Sequence, residues 1–272
     1  MHGELASAVS IELGIHGPWQ VISSGCAASL DAMGMAWMML KQGVVSRAIV
    51  IGVELPLLPD VIELYEKTGV LAKSSVNDPY SADAGGFFPG EAGAAVVLET
   101  TDALAERKSR VKSADKTGCF THKHGSGDVR MTGYWCNSDA NSPIGMSTDG
   151  KGLRDCLIKA VNDLRDEPEI TAVCPHASGT LLHGKAEIEA MTAALPDDRT
   201  YSLHPLKPFT GHAVGASGLL DCVLLTYFMR IQSLPPNLAG ITSPGEPFTL
   251  TPNPLSYDGS TVLKIAVGMG GH

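Results

Sequence analysis

The chain has no pair of cysteines at CxxC spacing, and its six cysteines, at 26, 119, 136, 156, 174 and 222, are scattered along 272 residues. That scatter argues against a disulfide framework and a zinc ribbon, and leaves most of them as small core residues. Positive charge is also scarce: 20 Lys and Arg against 29 Asp and Glu give a formal charge of −9, which argues against a nucleic-acid-binding surface but allows local basic patches. The opening MHGELASAVSIELG lacks a basic region and carries Glu4 and Glu12, so it does not read as a signal peptide. No uninterrupted apolar run reaches the roughly 18 residues of a membrane span, and LLDCVLLTYFMR falls short of it. The expectation is a cytoplasmic protein without membrane or nucleic-acid partners.

What is present suits a well-folded soluble chain: 44% hydrophobic residues, 30 glycines and 17 prolines, enough for one large α/β domain or two pseudo-repeated halves. The apolar stretch at 26–41 predicts a buried helix, bracketed by strands in RAIVIGVE (47–54) and GAAVVLE (93–99). From about residue 105 the pattern restarts. It predicts a strand near 109–120, helices at 152–164, 185–195 and 214–232, and strands at 170–176, 200–204 and 263–270. Such a βαβ series predicts an α/β fold with a largely parallel sheet. Residues 121–150, rich in Gly, Ser, Asp and Asn, read as a long functional loop.

An internal echo bears on function. GCAASLDAMGMAWMMLKQG and GHAVGASGLLDCVLLTYFMRIQ each pass from glycine and a reactive residue through small residues to Leu-Asp and an apolar helix. Two such halves would set Cys26 and His212 at matching helix N-termini, beyond the carboxyl ends of strands where ligands bind. Backbone N–H groups and the helix dipole there favour a thiolate, the nucleophilic form. VCPHASGT adds His176 after a strand and LKPFTGHAVGASG adds Lys207, so groups from several segments can share one cleft.

These motifs resemble a known family. SSGCAASLDA, PYSADAGGFFPGEAGAAVVLE (79–99), HASGTLLHGKAE, KPFTGHAVGASG, LPPNLAG (234–240) and GMGGH (268–272) are similar, in order and spacing, to the β-ketoacyl synthases of the thiolase superfamily, the two-histidine type that acts on an acyl carrier protein. The resemblance implies a thiolase-like fold of two halves, drawn here at 1–104 and 105–272 with the first incomplete at its start. It implies that Cys26 takes an acyl group from a thioester, and that His176 and His212 stabilise the enolate formed when a malonyl-type thioester loses carbon dioxide. Backbone N–H groups of Cys26 and Met269 would form the oxyanion hole. Lys207 would fix the electrostatics of the histidine pair, while Glu187 and Asp221 would orient this network, with hydrogen bonds from Ser178 and Thr180. No metal or cofactor is implied. The partners implied are an acyl carrier protein and a second ketosynthase-like chain, in a homodimer or heterodimer.

Some residues depart from the family pattern. The first histidine motif reads His-Ala-Ser-Gly-Thr rather than His-Gly-Thr-Ser-Thr, Gly184 replaces an aspartate, and Met269 stands where a phenylalanine gate is usual. Relatives also carry a longer segment before the nucleophile and a further strand after the closing turn. Cys119, His122, His124 and Cys136 fit no common metal spacing. The basic stretch 106–124 and Lys73 are weaker candidates for carrier contacts. AVGMGGH lacks the second cysteine of a degradative thiolase, and His212 stands where single-histidine initiating synthases have asparagine. The non-enzyme alternative is a ketosynthase-like partner subunit or an inactive remnant.

Overall fold

Two helices with almost no polar face organise the chain, and each therefore needs cover on both sides. The computed structural model describes residues 2–114, 128–143, 145–164 and 166–272. After α1 (His2–Leu13) an extended segment leads to a 3₁₀ turn at Gly25–Ala27 and the first apolar helix, α2 (Ala28–Lys41). Next come β1 (Arg47–Glu54), α3 (Pro59–Thr68), β2 (Ala92–Glu99) and α4 (Thr101–Ala114). The second half holds α5 (Lys151–Asp163), β3 (Ile170–Cys174), α6 (Leu181–Ala194), β4 (Tyr201–Leu203) and the short α7 (Lys207–Thr210). A second 3₁₀ turn at Val214–Ala216 opens the other apolar helix, α8 (Ser217–Arg230). It is followed by β5 (Ser233–Leu234), β6 (Phe248–Thr249), β7 (Leu255–Ser256) and β8 (Thr261–Lys264). No helix among the described residues is long and apolar enough to cross a membrane.

Helices α2 and α8 lie side by side because small residues let their starts approach. The Leu219 N–H donates to Ser29 Oγ at 2.9 Å, and a Cβ on Gly218 would sit 2.9 Å from that of Leu30. The β1–β2 ribbon covers one side, with Gly52 leaving room for Ser29. On the other side is a four-stranded parallel sheet in the order β6–β4–β3–β8. Cys174, Leu206 and Leu225 pack between that sheet and α8, whereas Val173, Leu203, Phe248 and Ile265 meet Leu157 of α5 and Met191 of α6 on the far face.

Three expectations need correction. The ribbon is antiparallel, with Glu54 opposite Ala92, because the chain leaves β1 and returns to β2 at the same end, pinned there to the second half by residues 87–90. Only the second sheet is the parallel one expected. Residues 109–114 continue α4 rather than starting a strand. Their stretch lacks β-branched alternation, and its Glu106–Arg110 pair at helical spacing makes an ion pair at 2.6 Å. Residues 115–120 lie outside the described residues, and the boundary drawn at 104 falls within α4. Finally, the internal echo is out of register by three residues: the 3₁₀ turns match Cys26 with Gly215, and His212 lies just upstream of the second turn. Both turns open with a left-handed residue, Gly25 at φ +61° and Val214 at +37°.

The extended strap 128–137 crosses α2. Its Tyr134 ring lies over Gly34, where a Cβ would come within 2.3 Å of ring atoms, and Trp37 Nε1–H donates to Met131 O at 3.1 Å. Gly34→Ala is therefore expected to cost about 1–3 kcal/mol in urea unfolding despite the better helix propensity of alanine. Unchanged stability would show that the strap yields freely.

Candidate active site

Cys26 sits in the 3₁₀ turn, and its Sγ lies 3.2 Å from Nε2 of His212, a residue 186 positions away. The glycine-rich strip of the first half places that histidine. The His212 N–H donates to Phe88 O at 2.7 Å, the Gly90 N–H returns a bond to His212 O at 3.1 Å, and the Phe87 ring meets the imidazole edge-on at 5.1 Å. Any Cβ on Gly90 would stand 2.6 Å from Thr210 O, so the close approach requires glycine. The other ring nitrogen, Nδ1, is 3.0 Å from Ser217 Oγ.

His176 follows β3 and faces the same point, its ring 5.4 Å from that of His212 and nearly perpendicular at 87°. Its backbone turns sharply into Ala177 at φ +44°, a conformation unfavourable for alanine. Glu187 secures the turn by accepting the N–H groups of His176 and Ala177, at 2.5 and 3.0 Å. Lys207 Nζ donates to His176 O at 2.6 Å, and the Lys207 carbonyl accepts Asn77 Nδ2–H at 3.1 Å. Ser178 Oγ lies 3.3 Å from Thr180 Oγ1.

Charge in this buried cluster is set by desolvation. Burial, reinforced by the Lys207 ammonium, holds His176 and His212 well below the usual imidazole range, so both are neutral near neutral pH. Burial also pushes the Cys26 thiol up, and the nearby Lys207 charge only partly offsets this. The helix start therefore does not keep a resting thiolate, contrary to expectation, and His212 Nε2 is the imidazole nitrogen within hydrogen-bond reach of the thiol. Burial likewise raises the Glu187 carboxyl against the opposing effect of its two backbone donors.

The structure brings together Cys26, His176, His212, Lys207, Glu187, Asp221, Ser178 and Thr180. The backbone nitrogen of Met269 joins them, 3.7 Å from the point where a Cβ on Gly25 would lie. Met269 itself is 62% exposed. Lys73 lies on the surface. In the basic stretch, Arg107 and Arg110 pair with this chain's own Glu99 and Glu106, and Lys108 with Asp128. Cys119, His122 and His124 lie outside the described residues, Cys136 is exposed, and no metal-binding cluster occurs among the described residues.

Several residues escaped the sequence reading. Lys264 is the most consequential: its Nζ lies 2.6 Å from Asp221 Oδ2 and 3.3 Å from Pro175 O, while Lys207 Nζ is 3.7 Å from the same carboxylate. Burial opposes its charge, yet Asp221 holds Lys264 above the usual lysine value. The available signal was a lone charge inside the apolar run TVLKIAVG. His183 stands 5.9 Å from the His176 ring and 3.4 Å from Ser178 Oγ, and Ser217 and Asn77 support the histidine and lysine.

Two solved structures share the fold. A type II polyketide ketosynthase, solved with its acyl carrier protein and a hexaketide, matches with TM-score 0.83 and 24% identity over 98% of this chain and 64% of its own. The ishigamide ketosynthase/chain length factor matches with TM-score 0.81 and 22% identity over 100% of this chain and 63% of its own. The N-terminal domain of β-ketoacyl synthases matches residues 1–103 and the C-terminal domain residues 129–240, and the chain belongs to that family. Among curated relatives, a putative polyketide β-ketoacyl synthase 1 of Streptomyces halstedii is 27% identical over 85% of this chain and 53% of its own length. The 3-oxoacyl-[acyl-carrier-protein] synthase 2 of Mycobacterium leprae is 27% identical over 98% of this chain and 62% of its own length. The chain thus spans a little over half the length of these relatives.

Lys264→Met, which leaves Asp221 with only its longer contact to Lys207, is expected to lower stability by about 3 kcal/mol in urea unfolding. Asp221→Asn in the same background should recover part of the loss. Wild-type stability in Lys264→Met would show that the buried carboxylate does not need this lysine.

Proposed function

We propose that this chain carries the condensing site of a β-ketoacyl synthase and joins an acyl group to a malonyl-type unit on an acyl carrier protein, in fatty acid or polyketide synthesis. The observation that carries the reading is the convergence of Cys26 Sγ, His212 Nε2 and the His176 ring from three separate segments. Cys26 attacks the acyl thioester carbonyl, its proton passing to His212 and then to the departing carrier thiolate. Backbone N–H groups of Cys26 and Met269 hold the developing oxyanion. The malonyl unit next loses carbon dioxide by cleavage of its carbon–carboxylate bond. The neutral imidazoles of His176 and His212 donate hydrogen bonds to the enolate oxygen, and the enolate carbon then displaces Cys26 from the acyl carbonyl.

The 3-oxoacyl-[acyl-carrier-protein] synthase type of transferase, a cytoplasmic setting and a homodimer or heterodimer with a ketosynthase-like chain belong to this proposal. The neighbours named for a carrier-protein complex and for a ketosynthase/chain length factor pair support the two kinds of partner. Retention of Cys26 and of both histidines in contact favours an active site over an inert partner subunit.

A thioester substrate should acylate Cys26 in preference to Cys156, Cys174 and Cys222, because burial raises Cys156 to about 11 and Cys174 and Cys222 to about 12, and none of the three has a described imidazole partner. Peptide mass spectrometry reads this directly. Cys26→Ala should abolish the acyl-enzyme, and equal acylation elsewhere would refute the nucleophile.

His176→Ala and His212→Ala are expected to lower malonyl decarboxylation by about 100-fold or more, the scale on which lost oxyanion donors act. Loss of acyl transfer should be smaller, and confined mainly to His212→Ala, the variant that lacks the proton acceptor. Release of carbon dioxide at the wild-type rate in both variants would remove the pair from the mechanism.

A further inference from the structure

Asp31 lies on an apolar helix five residues after the nucleophile and is only 8% exposed, a position where an unsatisfied carboxylate would be costly. Three donors from separate segments satisfy it. Oδ1 accepts the Tyr134 hydroxyl at 2.7 Å, and Oδ2 accepts both the Ser24 hydroxyl and His272 Nε2, the latter at 2.6 Å. Ser24 precedes the Gly25–Cys26 turn, and His272 closes the glycine turn that carries Met269.

That closing turn is built to sit against the nucleophile segment. The Gly268 N–H donates to His272 O at 2.6 Å, which folds the turn on itself. A Cβ on Gly268 would stand 2.8 Å from Ser24 O, so the two backbones touch there. From behind, the Asp139 N–H donates to Gly271 O at 3.0 Å, and a Cβ on Gly271 would overlap the Asp139 carboxylate at 2.0 Å. Among the described residues, Asp31 is thus the one side chain that bonds both to the residue before Gly25 and to the turn behind Met269.

We propose that Asp31 and His272 are positioning residues that set the separation of the Cys26 and Met269 backbone N–H groups, the two donors assigned to the thioester oxygen. The inference rests on the condensing-site reading above. Donors of this kind act only when aimed within a fraction of an ångström, and a misplacement of about 1 Å can cost roughly 100-fold in rate. A helix carboxylate that bonds the two flanking segments directly fixes that distance through side chains, since no described strand holds the segments together.

The test compares two reactions of the same sulfur. Acylation by an acyl N-acetylcysteamine thioester passes through an oxyanion; alkylation by iodoacetamide does not. In the full chain, His272→Ala is expected to slow acylation of Cys26 about 10- to 100-fold relative to alkylation, and His272→Gln, which restores an N–H donor at similar reach, to recover most of the loss. His272 is at the edge of the site, so the substitutions do not empty a core position. Acylation and alkylation that fall together, or an unchanged ratio in His272→Ala, would overturn the inference while leaving the condensing reading intact. A wild-type chain that is alkylated but never acylated at Cys26 would overturn both.

Discussion

The contact between Cys26 Sγ and His212 Nε2 depends on how closely α2 and α8 can begin side by side. Each residue sits at or just before a 3₁₀ turn, and the turns face one another only because Gly215, Gly218 and Ser29 keep bulk out of the seam. A Cβ on Gly215 would stand 2.9 Å from Glu54 Oε2, and the Gly215 N–H donates to that carboxylate oxygen at 3.3 Å. The same seam brings β1 against one side of the helix pair and the parallel sheet against the other. A wider seam would separate thiol from imidazole and open the apolar layer at once, so packing and site geometry form a single constraint here.

Within that frame the site is governed by desolvation. Lys207, Lys264, Asp221 and Glu187 are all buried, two cations with two carboxylates, and each finds a charge or backbone partner. The lysines bond the carbonyls of His176 and of Pro175 before it, so the charges secure the backbone that carries the histidine instead of touching its ring. Burial, reinforced by their field, keeps both imidazoles neutral, the state in which a ring N–H can hydrogen-bond an enolate without transferring its proton to it.

Much of this was legible in the sequence because function is written in local motifs. Cys26, His176, Lys207 and His212 each lie in a short run of small residues next to an apolar element, and α2 and α8 were visible as uninterrupted apolar stretches. Strand direction was less legible: β1 and β2 read as strands, but their antiparallel pairing is decided by residues 87–90 docking on His212, a contact more than 100 positions away. The echo slipped by three residues because Gly-plus-reactive-residue is a weaker register mark than the left-handed turns at Gly25 and Val214. Lys264 and Asp31 were missed for a common reason. Each is a lone charge in an apolar run, and its meaning comes only from partners brought by other segments.

Ser217 links the resting geometry to the chemistry. With the thiol protonated, S–H donates to His212 Nε2, and Nδ1 carries the imidazole proton toward Ser217 Oγ at 3.0 Å. The proposed stabilisation of an enolate would require the other tautomer, with the proton on Nε2 and Nδ1 as acceptor. A hydroxyl can serve both, since it accepts in the first case and rotates to donate in the second. Lysine at 217 would favour one tautomer by offering only donors and a charge, whereas serine would let a single neutral histidine act, in the proposed condensation, first as base toward Cys26 and then as donor to the enolate. Ser217 is itself only 3% exposed at the start of α8. Its bond to His212 therefore faces little competition from water, which leaves the tautomer free to follow the occupant of the proposed site.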